Sequence, residues 1–574
     1  MRRILKKILR FAVLVPVFLI DRLFARWRHY RVVSLRIRGS YPEIQPVSAW
    51  RFFSRAKTSY PQLVRRLEMA RLDPKVEAAI VTISDNRLGL ARAQEVARLI
   101  GALRESGKKV TCVLEGGGLR DYLIAAQADK IVLPPPSSLF ITGLAMESVF
   151  LGDLLKKLDV EADLLNEGKY KNAAEMFTRN GPTKYARQMM DDLVQGLHGE
   201  LTAMIASGRG VSAETVTAWI DGAPYTSKEA KAAGIVDEVA YRDEVLKAHR
   251  KKYGKKMTIP LQKQARYAER ARMLRAMLEN EPQVAVLVAA GPIVEKSNDR
   301  GSVNISPRQL VEVIDALRKN DDIKAVVLRV SSPGGSAFAS DIIHRALERL
   351  KKKKPVIVSM GDVAASGGYY LSMAGTVIFA EGATVAGSIG VISGKVSLKG
   401  LYEKLGVKKE RYAIGQNAGI LSDYGTFTDS ERERMRSLNH QFYLDFKRKV
   451  GAARGLSAQK VEAAAQGRVF TGTEAMRLNL VDAAGGLADA LAEASKRAGT
   501  RPGKDAQVLM VEYLRAPFVP SPSLGGFSES AKVFSGASAL LPDVAPLVGL
   551  VRILAKAPAM LLPFWVRSSD GDLW

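Results

Sequence analysis

The chain has 574 residues, a formal net charge of +27 and one cysteine, Cys112. That length accommodates two domains with their linkers, and a lone cysteine excludes an intrachain disulfide. The positive charge admits nucleic acid or an anionic membrane surface as partner; with no zinc-ligand spacing, recognition-helix pattern or interleaving of aromatic and basic residues, no nucleic acid is expected.

Residues 1–30 combine basic Met1-Arg-Arg-Ile-Leu-Lys-Lys7, the apolar run Phe11–Ile20 and basic, aromatic Phe24-Ala-Arg-Trp-Arg-His-Tyr30. The apolar run falls short of the ~20 residues that span a bilayer, and no small-residue cleavage site follows it. A short or tilted anchor, an in-plane helix on anionic lipid and a buried terminal helix stay open. Basic residues on both flanks favour membrane association.

Short Val/Ile-rich runs then alternate with amphipathic ones. Residues 78–83, 109–114 and 130–133 read as buried strands and 91–103 as a helix. Cys112 falls inside one of those strands, as a core thiol rather than a nucleophile. Residues 251–280 suit a basic helical linker. Strands follow at 283–289, 324–330, 356–359 and 376–380, with a helix at 339–350 whose end, Lys351 to Lys354, reads as exposed. Such alternation builds parallel sheets with crossover helices. Residues 501–574 form a Pro-rich connection and an apolar tail; Pro542, Pro546, Pro558 and Pro563 argue against one continuous membrane helix there.

The two halves are copies. Tyr225-Thr-Ser-Lys-Glu-Ala-Lys-Ala-Ala-Gly-Ile-Val-Asp237 matches Phe470-Thr-Gly-Thr-Glu-Ala-Met-Arg-Leu-Asn-Leu-Val-Asp482, and Leu154-Leu-Lys-Lys-Leu-Asp-Val160 matches Leu401-Tyr-Glu-Lys-Leu-Gly-Val407. Asp237 and Asp482 lie 245 residues apart, Val160 and Val407 247 apart. A period this long means duplication of a folded unit rather than a solenoid. We therefore expect tandem domains over residues 45–250 and 281–500.

The copies differ where chemistry belongs. The second has Ser332-Pro-Gly-Gly335 and Met360-Gly-Asp-Val-Ala-Ala-Ser-Gly-Gly-Tyr-Tyr370; in the first, Gly118 stands near the place of Ser366. Conversely Lys171, in Gly168-Lys-Tyr-Lys-Asn-Ala-Ala174, stands opposite Ala418. A serine at a helix mouth beside small residues exposes its hydroxyl next to backbone N–H groups; taken singly it reads first as an N-cap with glycine packing, and Ser332-Pro-Gly-Gly335 beside it shifts the balance towards a site. His344 and His440 sit in helical patterns with no orienting acid, and no Gly-x-Ser-x-Gly elbow is present, which disfavours a Ser-His-Asp triad. A lysine can act as base where desolvation brings its pKa from ~10.4 to ~7–8, and Lys171 lies among Tyr170, Ala173, Ala174, Met176 and Phe177.

These motifs, with Gly387-Ser-Ile-Gly-Val391, resemble the long, duplicated form of the signal peptide peptidase A family, in the crotonase/Clp-protease superfamily. The resemblance covers roughly residues 50 to 500. It implies an α/β fold of two tandem Clp-like domains and a Ser/Lys-dyad endopeptidase with Ser366 as nucleophile and Lys171 as base. It assigns oxyanion contacts to Gly334, Gly335 and Gly367, and places Ser388 beside the lysine. It further implies no cofactor, a homotetramer, attachment to the inner membrane with the catalytic body on its outer (periplasmic) side, and cleaved signal peptides or other short or unfolded hydrophobic chains as substrates. The rival readings are a scaffold in which the dyad never assembles, and a crotonase-type acyl-CoA enzyme, which leaves Ser366 and Lys171 unexplained.

Overall fold

A computed structural model describes residues 30–44, 58–254, 258–267, 282–296, 303–500 and 507–511, with short strands at 567–568 and 571–572. The basic N-terminal segment, most of the linker beyond residue 267 and the apolar tail, all discussed above, lie outside the described residues. Among those described, no helix is long and apolar enough to cross a membrane.

The first unit contains strands β1 (Val32–Gly39), β2 (Ala78–Asn86), β3 (Lys109–Leu114), β4 (Lys130–Leu133), β5 (Glu161–Glu167), β6 (Glu238–Val239) and β7 (Thr258–Pro260). All but β5 form a parallel sheet in the order β7-β1-β2-β3-β4-β6. The second unit contains β8 (Gln283–Ala290), β9 (Ile323–Ser332), β10 (Val356–Ala365), β11 (Val377–Ala380), β12 (Val385–Gly387), β13 (Val391–Ser397), β14 (Val469–Thr471), β15 (Ala483–Ala484) and β16 (Gln507–Val511). Its sheet runs β14-β12-β10-β9-β8-β16, with β11 joining β10 to β15. β10 is buried at every position, as expected where helices cover both faces of a parallel sheet.

The helices used below are α1 (Tyr60–Leu72), α2 (Leu90–Glu105), α3 (Leu119–Ala125) and α4 (Lys184–Arg209) in the first unit, and α5 (Pro307–Lys319), α6 (Ala337–Lys351), α7 (Gly367–Ser372), α8 (Asp429–Arg454) and α9 (Leu487–Arg497) in the second. Duplication shows in the details. α4 and α8 each have 26 residues, begin on a threonine (Thr183, Thr428) whose hydroxyl accepts an N–H of the first turn, and end on a left-handed glycine (Gly210, Gly455).

The units are joined by shared structure, not by linker alone. β5 pairs antiparallel with β13, from Glu161 opposite Ser397 to Glu167 opposite Val391. Asn439 on α8 clamps this pair: its amide donates to Leu165 O at 3.3 Å and accepts the Ser393 hydroxyl at 2.7 Å. At the sheet ends, the buried Arg329 guanidinium meets Glu43 at 3.1 Å and Glu95 at 3.4 Å. The Asp362 carboxylate accepts the Arg92 backbone N–H at 2.9 Å and pairs with its guanidinium, so an acid from the second unit caps α2 of the first.

Four details depart from the sequence reading. β1 escaped it, and β7 lies within residues taken as linker. β10 extends six residues beyond Ser359, delivering Ser366 straight from a strand into a helix. Lys354 is buried rather than exposed: its ammonium donates to Leu317 O at 2.6 Å and to Asn320 O. Leu317 O is one of the last-turn carbonyls of α5 that lack an intrahelical donor, and Asn320 O also accepts the Ile323 N–H at 3.2 Å.

Candidate active site

Ser366 stands between β10 and α7 with φ +54° and ψ −116°. For a residue with a Cβ that conformation is strained, and such strain gathers at functional sites when neighbours over-determine it. Here the Ser366 N–H donates to Gly387 O at 2.8 Å, and the Ser366 carbonyl accepts from the Tyr370 N–H at 2.9 Å. Ser388, just past β12, also has φ +54°; its N–H donates to Arg468 O at 2.7 Å. Two serines are thus held rigidly in a backbone region that ordinarily favours glycine.

Lys171 reaches them from the other unit. It follows β5, and the β5–β13 ladder carries it across the boundary. Its Nζ lies 2.9 Å from Ser366 Oγ, 2.9 Å from Ser388 Oγ and 3.0 Å from Ser388 O. Close packing fixes the stem: Gly467 has φ +76°, and a Cβ there would sit 2.5 Å from Lys171 Cβ, so no larger residue fits. Ser366 is 0 % exposed and Lys171 2 %. Loss of water pushes the Lys171 pKa down to about 7, because burial penalises the charged form.

The glycines behind Ser366 divide in their roles. Gly334 donates its N–H to Ser332 Oγ at 3.2 Å, so that amide is spent within its own turn. Gly335 lies against Ile293 through two hydrogen bonds, Ile293 N–H to Gly334 O at 2.8 Å and Ser336 N–H to Ile293 O at 2.9 Å; its own N–H takes no part in either. A Cβ on Gly335 would lie 2.0 Å from Ile293 O, and φ there is +149°. Gly367 is the first residue of α7, where an N–H has no intrahelical acceptor. A Cβ built on Gly367 would come 3.1 Å from Gly334 Cα, which places the two glycine segments side by side.

Neither histidine reaches the site through a recorded hydrogen bond. His440 Nδ1 lies 3.4 Å from Glu167. His344 packs edge-on against Tyr370, its pKa pushed down to about 4 mainly by burial. In the first unit, Gly118 occupies the helix-mouth position, with φ −105° and its N–H donating to the Asp121 carboxylate at 3.1 Å. Buried Arg120 donates to Leu88 O at 2.7 Å. That half is filled by structural side chains. Among the described residues no group of three or more His, Cys, Asp or Glu is placed to hold a metal ion.

The sequence also matches known proteins. The model of peptidase family S49 fits twice, at residues 102–256 and 348–501, and that of Clp protease fits residues 301–380. The chain is 31 % identical over 509 residues to "Serine protease SPPA, chloroplastic" of Arabidopsis thaliana, covering 87 % of this chain and 73 % of that one. It is 28 % identical over 477 residues to "Protease 4" of Haemophilus influenzae, covering 80 % and 76 %. It is 30 % identical over 413 residues to "Protease 4" of Salmonella typhi, covering 70 % and 66 %. With two family matches spaced as the internal repeat is, the chain belongs to peptidase family S49 and is a serine peptidase.

Proposed function

We propose that Ser366 and Lys171 are the catalytic pair of a membrane-associated endopeptidase that degrades cleaved signal peptides and other short or unfolded hydrophobic chains. The observation that carries this reading is the buried 2.9 Å contact between Lys171 Nζ and Ser366 Oγ. Neutral Lys171 takes the Ser366 proton as Oγ attacks the peptide carbonyl, and the C–O bond of a tetrahedral intermediate forms. Its oxyanion is met by the N–H groups of Gly335 and Gly367, with Gly334 as the turn that presents Gly335. The lysine then protonates the leaving amine as the C–N bond breaks. A water deprotonated by the same lysine hydrolyses the acyl-enzyme. Ser388 holds the amine in line throughout.

Substrate binds extended, by main-chain hydrogen bonds. The apolar residues around the lysine, including Ala173, Ala174 and Ile392, suit small or apolar side chains. The basic N-terminal segment attaches the enzyme to anionic lipid, with the body on the outer face of the inner membrane, and four copies assemble.

The test is cleavage of a quenched hydrophobic signal-peptide substrate by the full chain in detergent. Ser366→Ala and Lys171→Ala are each expected to lower kcat/KM by about 10³-fold or more with the fold intact. Normal turnover by either variant contradicts the dyad.

A further inference from the structure

A short segment of the second unit, residues 466–468, leads from the helix Ala458–Ala464 into β14. Three successive residues of it bond to the two turns that meet at the site. Gln466 O accepts the Tyr170 N–H at 2.8 Å, Gly467 N–H donates to Ile389 O at 2.8 Å, and Arg468 O accepts the Ser388 N–H at 2.7 Å. The segment thereby ties the lysine's turn, from the first unit, to the turn that bears Ser388, from the second.

Gln466 makes the crossing. Its φ is +58°, a region that disfavours side chains, yet a long amide stands there and each of its polar groups is engaged. Oε1 accepts the Lys169 N–H at 3.2 Å, and Nε2 donates to the Glu462 carboxylate. The backbone N–H donates to the hydroxyl of buried Tyr443, on α8, at 3.1 Å. The residue is thus held from behind by the second unit while its two carbonyl oxygens hold residues 169 and 170 of the first. The fit is close: a Cβ on Gly168 would lie 2.5 Å from Gln466 C and 2.6 Å from its O.

We infer that Gln466 is a positioning residue of the peptidase, which reaches across the unit boundary to hold the turn of Lys171 so that Nζ stays in line with Ser366 and shut off from water. This rests on the Ser366–Lys171 reading above. Gln466 bonds to the main chain beside the lysine and acts only through it. Without its amide one end of the turn comes free, water enters beside Nζ, and the ammonium form regains solvation. Nearby charges are engaged with one another: Glu462 with Lys447 at 2.7 Å, Arg468 with Asp192 at 2.5 Å and Glu167 with His440 at 3.4 Å. Lys169 is exposed. Burial is the cause that lowers the Lys171 pKa, so exposure of the amine is what would raise it.

The test follows the rate at which a fluorophosphonate modifies Ser366 across a range of pH, with the full chain in detergent. In that step Oγ forms a P–O bond, fluoride leaves, and the hydroxyl proton passes to Lys171. Gln466→Met keeps the bulk and removes both polar atoms; Gln466→Ala removes the side chain. We expect the midpoint of the pH profile to move up by about one unit or more in each, which leaves about tenfold less neutral amine near pH 6. Near pH 10 the variants should approach the parental rate. Cleavage of the quenched signal-peptide substrate near pH 6 should lose kcat with KM unchanged. Partial unfolding lowers the rate alike at every pH and leaves the midpoint in place, so a midpoint that stays at the parental value in both variants overturns the inference, whatever their stability. Lys171→Met is run alongside. Its modification at the parental rate would remove the dyad reading itself; loss of modification there, with unmoved midpoints in the Gln466 variants, would remove only the role of Gln466.

Discussion

With Nζ neutral, Lys171 has two N–H bonds and one lone pair, and its three neighbours match them: Ser388 O and Ser388 Oγ accept the two N–H bonds, leaving the lone pair for the Ser366 O–H. Peptide cleavage should therefore rise with pH through an apparent pKa of about 7. A profile still rising towards pH 10 would mean a solvated lysine. The same shift has a stability consequence. Between about 7 and about 10.5 the unfolded chain holds a proton that the folded chain lacks, so this residue's contribution to stability rises with pH across that window and is at its lowest below it. Lys171→Met should thus be more stable than the parent at pH 6, on the order of 3–5 kcal/mol, with the gap closing by pH 10.5, as read from urea midpoints at both pH values. At Ser366, relief of the positive φ should make Ser366→Gly inactive yet up to ~1 kcal/mol more stable; a lower melting temperature would show that the hydroxyl holds the fold.

At the scale of elements, the site depends on one strand pair. Asn439 bonds both strands of the β5–β13 ladder from buried positions. Asn439→Ala should cost about 1–3 kcal/mol through unmet polar groups and lower kcat more than it raises KM, because the lysine's strand loosens while the glycine segments stay. An unchanged kcat would show that β5 is held without it. This ladder was not legible in the sequence. The repeat offset pointed to Lys171, and the glycine motifs to Ser366, since both signals are local. Pairing between residues 161–167 and 391–397 is long-range and leaves no periodic trace of its own. Strands such as Lys109–Leu114 and Lys130–Leu133 were legible to the residue because they are short apolar runs buried in a parallel sheet. β1, Val-Val-Ser-Leu-Arg-Ile-Arg-Gly, was not, because its arginines break the run.

Across the whole molecule, charges buried between the units make the two copies one folded body. Arg329 is 1 % exposed and faces Glu43 and Glu95 from the first unit. Arg329→Met would strand both acids, and removing one partner of a buried ionic cluster typically destabilises by about 3–5 kcal/mol. We expect a lower melting temperature with the two units still unfolding together; two separate transitions in the parent would contradict the shared core. Duplication was plain in the sequence, and so was the division of serine and lysine between copies. The ionic seam was not, since Arg329 and Glu95 are ordinary charged residues until the fold sets them face to face.

The most direct test of the central claim is the pH dependence of Ser366 phosphonylation by a fluorophosphonate, with fluoride as the leaving group, followed by intact mass in the parent and in Lys171→Met. The account predicts one adduct, on Ser366, forming at a rate that rises with pH through about 7 and is lost in Lys171→Met. Labelling of Lys171→Met at the parental rate, or of another residue in place of Ser366, would contradict it.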